Sequence, residues 1–209
     1  LSDENNCLKL GYNSVEQTWP NWLNELGINS KILPRVFKPG CVYSNISPEI
    51  AAELDLPEHC QIVAGTTDSI AAFIATGANQ IGDAVTSLGS TLVLKVISEA
   101  PVSAPELGIY SHKLGNYWLA GGASNSGGAV LSHYFSQQQL DALTPLLSPD
   151  NPTDLNYYPL QAGQRFPVND PTFQPRMEPT AASEIEFFQG ILEGISQREQ
   201  AGYNKLQQL

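Results

Sequence analysis

Asp68 is the residue whose setting first invites chemistry. It follows Gly65-Thr66-Thr67, three small residues after the apolar run Gln61–Ala64, and opens a helical run that reaches Ala75 and stops near Gly77. A carboxylate on such a strand-to-helix turn, with no bulky neighbour before it, is open to a substrate and could accept a proton. The position also suits a helix N-cap, because aspartate there accepts backbone N–H groups and complements the positive end of the helix dipole. Spacing alone leaves both readings open.

Two further stretches could hold an anion. Gly89-Ser90-Thr91 separates the apolar runs Ala84–Leu88 and Leu92–Ile97, so it reads as the tip of a hairpin. Clustered N–H groups and two hydroxyls there could grip phosphate oxygens, although Gly and Ser also suit an ordinary turn. Gly121-Gly122-Ala123-Ser124-Asn125-Ser126-Gly127-Gly128 carries no bulky side chain and lies between a strand, Tyr117–Ala120, and a helix, Ala129–Phe135. A strand that enters a glycine-rich turn and then a helix N-terminus is a recurrent anion or nucleotide seat, since the backbone can approach the ligand closely. The turn is neither a Walker A loop, for want of Gly-Lys-Ser/Thr, nor the GxGxxG fingerprint. Asp83 is the nearest rival carboxylate to Asp68, and turn chemistry after Gly82 accounts for it.

The elements that must position these residues can be read in outline. Leu1–Tyr12 is polar and then mildly apolar; Asp3, Asn5 and Asn6 suit a loop. Trp19–Leu26 predicts a short helix, with Pro20 in its first turn, Gly27 just past its end, and Trp19, Trp22 and Leu26 on a core face. Cys41-Val42-Tyr43 predicts a strand, and Ser47-Pro48 a capped helix start running to Leu54. Gln61–Ala64 predicts a buried strand. Gly108–Ser111 and Tyr117–Ala120 predict a strand pair turning at Leu114-Gly115-Asn116. A short helical piece follows around Leu140–Leu147, and the proline-rich Tyr157–Pro179 predicts an irregular excursion. Ala181–Leu206 is the strongest helix, with Ile185, Phe188, Leu192 and Ile195 on one face and charged residues on a solvated one.

Composition narrows the classes. The 209 residues are 42% hydrophobic, enough for one large or two modest domains with a core. A net charge of -11 argues against a nucleic-acid or anionic-membrane surface. It leaves room for a nucleotide held by backbone N–H groups and Mg²⁺. Cys7, Cys41 and Cys60 form no CxxC pair, and His59, His112 and His133 lie far apart, so neither a disulfide framework nor a zinc site is expected. No apolar run approaches the ~18 residues of a membrane span. The expectation is a cytoplasmic protein in a reducing setting. Its ends look cut, and the chain reads as a piece of a longer polypeptide.

Taken in order, AGTTDSIAAFIATGA, TSLGSTLVLKV and LAGGASNSGGAVL resemble the second half of an FGGY-family carbohydrate kinase. LSDENNCLKLGYN…WPNWL and QRFPVNDP…FFQGILEGISQREQAGYNKL resemble its ribulokinase and xylulokinase-like branch. The resemblance covers nearly the whole chain. It implies an α/β actin-like ATPase (ribonuclease H-like) fold, with a mixed sheet flanked by helices, in part of a two-domain kinase. Residues 1–56 would be the tail of the first, sugar-binding domain, and 57–209 most of the second, nucleotide-binding one. By the same resemblance Asp68 is the base that takes the proton from the sugar hydroxyl. Gly89, Ser90 and Thr91 embrace the ATP phosphates, and Gly122, Asn125 and Gly127 belong to the turn that meets the nucleotide. The implied cofactors are ATP and Mg²⁺, and the implied substrate is a ketopentose such as ribulose or xylulose. No protein residue is singled out as a metal ligand.

The family's first phosphate turn, Asp-x-Gly-Thr, is absent from these residues, as is much of its sugar pocket. The expectation is therefore a piece that does not turn over alone. A non-catalytic actin-like sensor that binds a nucleotide or sugar is the alternative, because it would use the same hairpin and turn without Asp68 as a base. Oligomeric state is left open, a homo-oligomer included.

Overall fold

The computed structural model describes Leu1–Leu209, which divide into two compact units. The first comprises Leu1–Asn79, Glu99–Pro101 and His112–Leu119; the second comprises Gln80–Ser98, Val102–Ser111 and Ala120–Leu209. In this division the main break falls after Asn79, so Asp68 and its helix group with the N-terminal residues.

In the first unit, β1 (Ser2–Asp3) pairs in parallel with β2 (Val36–Phe37), and the chain turns at once into helix α1 (Glu4–Cys7). The loop expected here is therefore a strand and a capped helix. Asp3 is the cap: its Oδ1 accepts the N–H groups of Asn5 and Asn6, both at 3.0 Å. Asp3, Glu4 and Asn5 are all buried. Helix α2 (Trp22–Glu25) is shorter than expected, and its packing differs. Leu23 is the buried residue, whereas Trp22 and Leu26 are exposed. Trp22 instead covers Gly11, where a Cβ would lie 2.7 Å from its ring.

Strands β3 (Val42–Asn45) and β4 (Gln61–Val63) form an antiparallel ribbon, linked by helix α3 (Pro48–Glu53), whose cap Ser47 accepts the Ile50 N–H at 3.4 Å. β4 is exposed along its length, not buried as its apolar composition suggested. A strand of three residues is too short to have a period that reports which face is covered.

Burial of Glu4 has a consequence for stability. Desolvation pushes its carboxyl above the ordinary value; Lys113 and Lys38 oppose the shift and Asp3 adds to it. Its Oε1 is buried without a hydrogen-bond partner. A raised folded pKa means that stability is fully present below the unfolded carboxyl value and is lost as pH rises through the folded one. Wild type is therefore expected to lose stability relative to Glu4→Gln as pH is raised from about 4 to about 7, read as the difference in Tm. A difference independent of pH would contradict this.

The second unit is built on the hairpin β5 (Ala84–Leu88) and β6 (Leu92–Ser98), in register from Ala84↔Val96 to Leu88↔Leu92. β6 continues a four-stranded sheet of order β5-β6-β8-β7, where β7 is Tyr110–Leu114 and β8 is Tyr117–Ser124; residues His112–Leu119 of this strand pair count with the first unit. Leu92 and Leu94 alternate with half-buried residues along β6, as a strand with one covered face requires. Helix α5 (Gly128–Tyr134) follows the turn after β8. Helix α6 (Gln137–Leu143) is closed by a capping box between Ser136 and Gln139.

Helix α7 (Glu184–Gln207) spans 24 residues and buries Phe188, Ile191, Ile195 and Leu206 at helical spacing. Gly190, Gly194 and Gly202 on this helix allow close approach: a Cβ on Gly194 would lie 2.7 Å from the Tyr157 carbonyl oxygen. The 157–179 excursion is irregular, as expected, yet it supplies the fully buried rings of Tyr157 and Phe166. The charged residues of α7 are less solvated than expected. Glu193 accepts from the Thr153 N–H and hydroxyl, Glu199 accepts from the Thr86 hydroxyl, and Arg198 lies 4.1 Å over the Tyr158 ring.

Candidate functional site

Asp68 lies in the first unit, at the start of helix α4 (Asp68–Ile74), which follows β4. The loop before it is fixed at its start by backbone bonds: Ala64 N–H donates to the Cys41 carbonyl at 2.8 Å, and Gly40 N–H donates to that of Ala64 at 2.9 Å. The helix is fixed by burial of Ile70 and Phe73, three residues apart. The N-cap is Thr67, so the capping role considered for Asp68 does not hold. Asp68 is the first residue of the helix, exposed, with Oδ1 accepting the Ser69 N–H at 2.7 Å. A carboxylate there still gains from the helix dipole, and its outward placement leaves it open to a ligand. Behind it, Asn5 Nδ2 donates to the Thr66 hydroxyl at 3.0 Å.

The phosphate-seat candidates lie in the second unit. Gly89, Ser90 and Thr91 form the loop between β5 and β6, with the Gly89 N–H on the Thr91 carbonyl at 3.1 Å. The glycine-rich stretch is shorter as a turn than its composition suggested, because β8 runs on through Ser124. Gly121 and Gly122 are strand residues. A Cβ on Gly122 would sit 2.6 Å from Cγ of Phe166, so this glycine makes room for a core ring and is not an exposed ligand contact. The turn proper is Asn125-Ser126-Gly127, and Gly127 is the N-cap of α5.

Hairpin loop and turn are joined by main-chain bonds. Gly128 N–H donates to the Gly89 carbonyl at 2.7 Å, and Ala129 N–H to that of Ser90 at 3.1 Å. The first two N–H groups of α5 are therefore spent on the hairpin, contrary to the expectation that they face a ligand. What they achieve is a closed clamp. The approach depends on glycine: a Cβ on Gly127 would lie 2.5 Å from Cα of Thr91, and one on Gly128 would lie 2.6 Å from the Gly89 carbonyl oxygen.

Beside this clamp is a cavity of about 260 Å³ lined by Ser90, Thr91, Asn125, Ala129, Gln161 and Ala162. Ser90 and Thr91 give it hydroxyls that no side-chain bond engages elsewhere. Asn125 is held firmly: its N–H donates to Gln164 Oε1 at 2.8 Å, its Nδ2 donates to the Gly163 carbonyl at 2.9 Å, and its Oδ1 accepts from Arg165 Nε at 2.8 Å. Gln164 is buried and also donates to the Ser124 and Tyr158 hydroxyls at 2.9 and 3.0 Å. Gln161, Gln164 and Arg165 are thus parts of the site that the sequence did not reveal. They come from an irregular segment with no periodicity to mark them.

The cavity wall is uncharged, made of hydroxyl, amide and methyl groups. Such donors suit ribose hydroxyls, or phosphate oxygens whose charge is met by a cation arriving with them. No group of three or more His, Cys, Asp or Glu side chains could hold a metal ion, and no helix is long and apolar enough to cross a membrane.

No protein-family model matches the chain. A gluconokinase from Bacillus licheniformis is 24% identical over 162 residues, which are 69% of this chain and 32% of that protein. A xylulose kinase from Klebsiella pneumoniae is 24% identical over 162 residues, covering 72% of this chain and 33% of its own. Among solved structures, a xyloylose (xylulose) kinase from Brucella ovis superposes with a TM-score of 0.86 at 21% identity, over 99% of this chain and 45% of that one. The chain therefore has the fold of the sugar kinases, the mixed α/β architecture of the actin-like ATPases. It spans about a third of the length of the curated relatives it matches.

Proposed function

We propose that this chain is part of an ATP- and Mg²⁺-dependent carbohydrate kinase of the FGGY type, with residues 1–56 closing its sugar-binding domain and 57–209 forming most of its nucleotide-binding domain. The substrate class is a sugar or polyol hydroxyl, with a ketopentose such as ribulose or xylulose as the first candidate. The observation that carries the reading is the glycine-dependent clamp of Gly89–Thr91 on Gly127–Ala129, with its polar, uncharged cavity.

In the proposed reaction the sugar oxygen attacks the γ-phosphorus of ATP, the bond to the β,γ-bridging oxygen breaks, and ADP leaves. Asp68 accepts the proton of the attacking hydroxyl. Ser90 and Thr91 hydroxyls hold phosphate oxygens, and Asn125, locked by Gln164 and Arg165, holds the adjoining part of the nucleotide. Mg²⁺, bound chiefly by the phosphates, would neutralise their charge during transfer. Most of the work asked of these residues is positioning.

The test is ADP release by the full-length protein carrying this chain, assayed with ribulose, xylulose, gluconate and glycerol. Sugar-dependent ADP release with one of them is the expected result. Tight binding of nucleotide or sugar with no turnover on any acceptor would favour the sensor instead.

A further inference from the structure

We infer that Asn5 is a positioning residue for Asp68, acting through the loop that precedes the helix; this rests on the reading of Asp68 as the base. Asn5 is 2% exposed. Its side-chain amide pairs with the main chain of Lys113 in both directions, Oδ1 accepting the N–H at 2.9 Å and Nδ2 donating to the carbonyl at 2.9 Å. An asparagine used in this way imitates a strand partner, and its plane is fixed by the two bonds. One N–H of Nδ2 remains, and it donates to the Thr66 hydroxyl at 3.0 Å. All the strong hydrogen-bonding capacity of the amide N–H groups is then committed.

Thr66 stands two residues before Asp68. Apart from a long contact between the Thr67 and Ser69 hydroxyls at 3.4 Å, the loop has little else to steady it at that point. Gly65 would meet nothing within 4 Å if it carried a Cβ, and Thr67 makes no side-chain cap. The anchored neighbours are Ala64 on one side, through its bonds to Cys41 and Gly40, and the α4 residues Ile70 and Ala71 on the other, whose N–H groups donate to the Thr67 carbonyl. Asn5 is itself seated by the Asp3 cap, which accepts its N–H at 3.0 Å. A chain of fixed contacts thus leads from the α1 cap, through an amide locked on β7, to the loop that aims the carboxylate. For a base that must meet a hydroxyl at hydrogen-bond distance, freedom at Thr66 becomes misplacement of the reacting pair.

The experiment is a double-mutant cycle on kcat in the full-length protein, using Asn5→Ala and Thr66→Val, with Thr66→Ser as the variant that keeps the hydroxyl and Asp68→Asn as reference. Each of the first two is expected to lower kcat ~10-fold or more, with KM for ATP within ~2-fold of wild type. The double variant should be no worse than the weaker single, and Thr66→Ser should restore most of the rate. Thr66→Val at wild-type kcat, or losses that multiply in the double variant, would overturn the inference. If Asn5→Ala fails to fold, Thr66→Val against Thr66→Ser decides it, because both leave the buried amide in place. Should Asp68→Asn keep full turnover, the reading of the base has failed; should it be inactive while Thr66→Val is fully active, the positioning role alone has failed.

Discussion

Replacing Asp68 with asparagine is expected to lower kcat by ~10²- to 10⁴-fold, with ATP affinity within ~2-fold of wild type. Asparagine matches the carboxylate in shape and can still accept the Ser69 N–H, so the start of α4 is preserved. The side chain is exposed, and its replacement should alter stability by no more than ~0.5 kcal/mol. What is lost is the capacity to take a proton while the sugar oxygen attacks phosphorus. Titration calorimetry with nucleotide, set beside steady-state ADP release, separates the two effects. Parallel loss of nucleotide affinity and turnover would make Asp68 an architectural residue.

The second large effect is expected at Gly127. Even alanine would place its Cβ 2.5 Å from Cα of Thr91 and 2.6 Å from the Ser90 carbonyl oxygen. These are backbone atoms at the tip of a hairpin, and they cannot swing aside as a side chain can. The loop must be displaced, loosening the bonds from Gly128 to Gly89 and from Ala129 to Ser90. Overpacking and two weakened hydrogen bonds together suggest a loss of ~2–4 kcal/mol in stability. Nucleotide affinity is expected to fall at least ~10-fold, since the hydroxyls of Ser90 and Thr91 move with the loop. Gly65→Ala, where nothing lies within 4 Å of the new Cβ, is the contrast and should leave nucleotide binding unchanged. Denaturant melts and nucleotide titrations on the two variants check both statements. Equal behaviour would remove the clamp from the account.

The residues that disclosed themselves in sequence did so through local chemistry. Gly89-Ser90-Thr91 between two apolar runs read as a tight hairpin, and the structure pairs the two runs as its strands. Ser47-Pro48 wrote its own helix start, and Asp68 stood where small residues gave way to a helix. Other features depended on distant partners. Gly121 and Gly122 share the composition of a ligand loop, and only Phe166, far along the chain, shows that Gly122 serves packing. Asp3 and Asn5 looked like loop residues because their burial is decided by β2 and β7, which no window around them contains. The helical spacing of Trp22 and Leu26 was real as a pattern but described a helix whose covered residue is Leu23. Gln161, Gln164 and Arg165 gave no sign at all, since an irregular segment has no period in which a buried amide would stand out.

The bonds that lock the hairpin loop to α5 run from main chain to main chain. No side chain in positions 89–90 or 128–129 makes them, so selection can grip them only by forbidding a side chain at Gly127 and Gly128. Drift at Ser90 and Thr91 can change the hydroxyls that this loop gives the cavity while those main-chain bonds stay as they are. The specificity of the seat and its architecture can therefore evolve separately, the first written in residues that are present and the second in atoms that are missing.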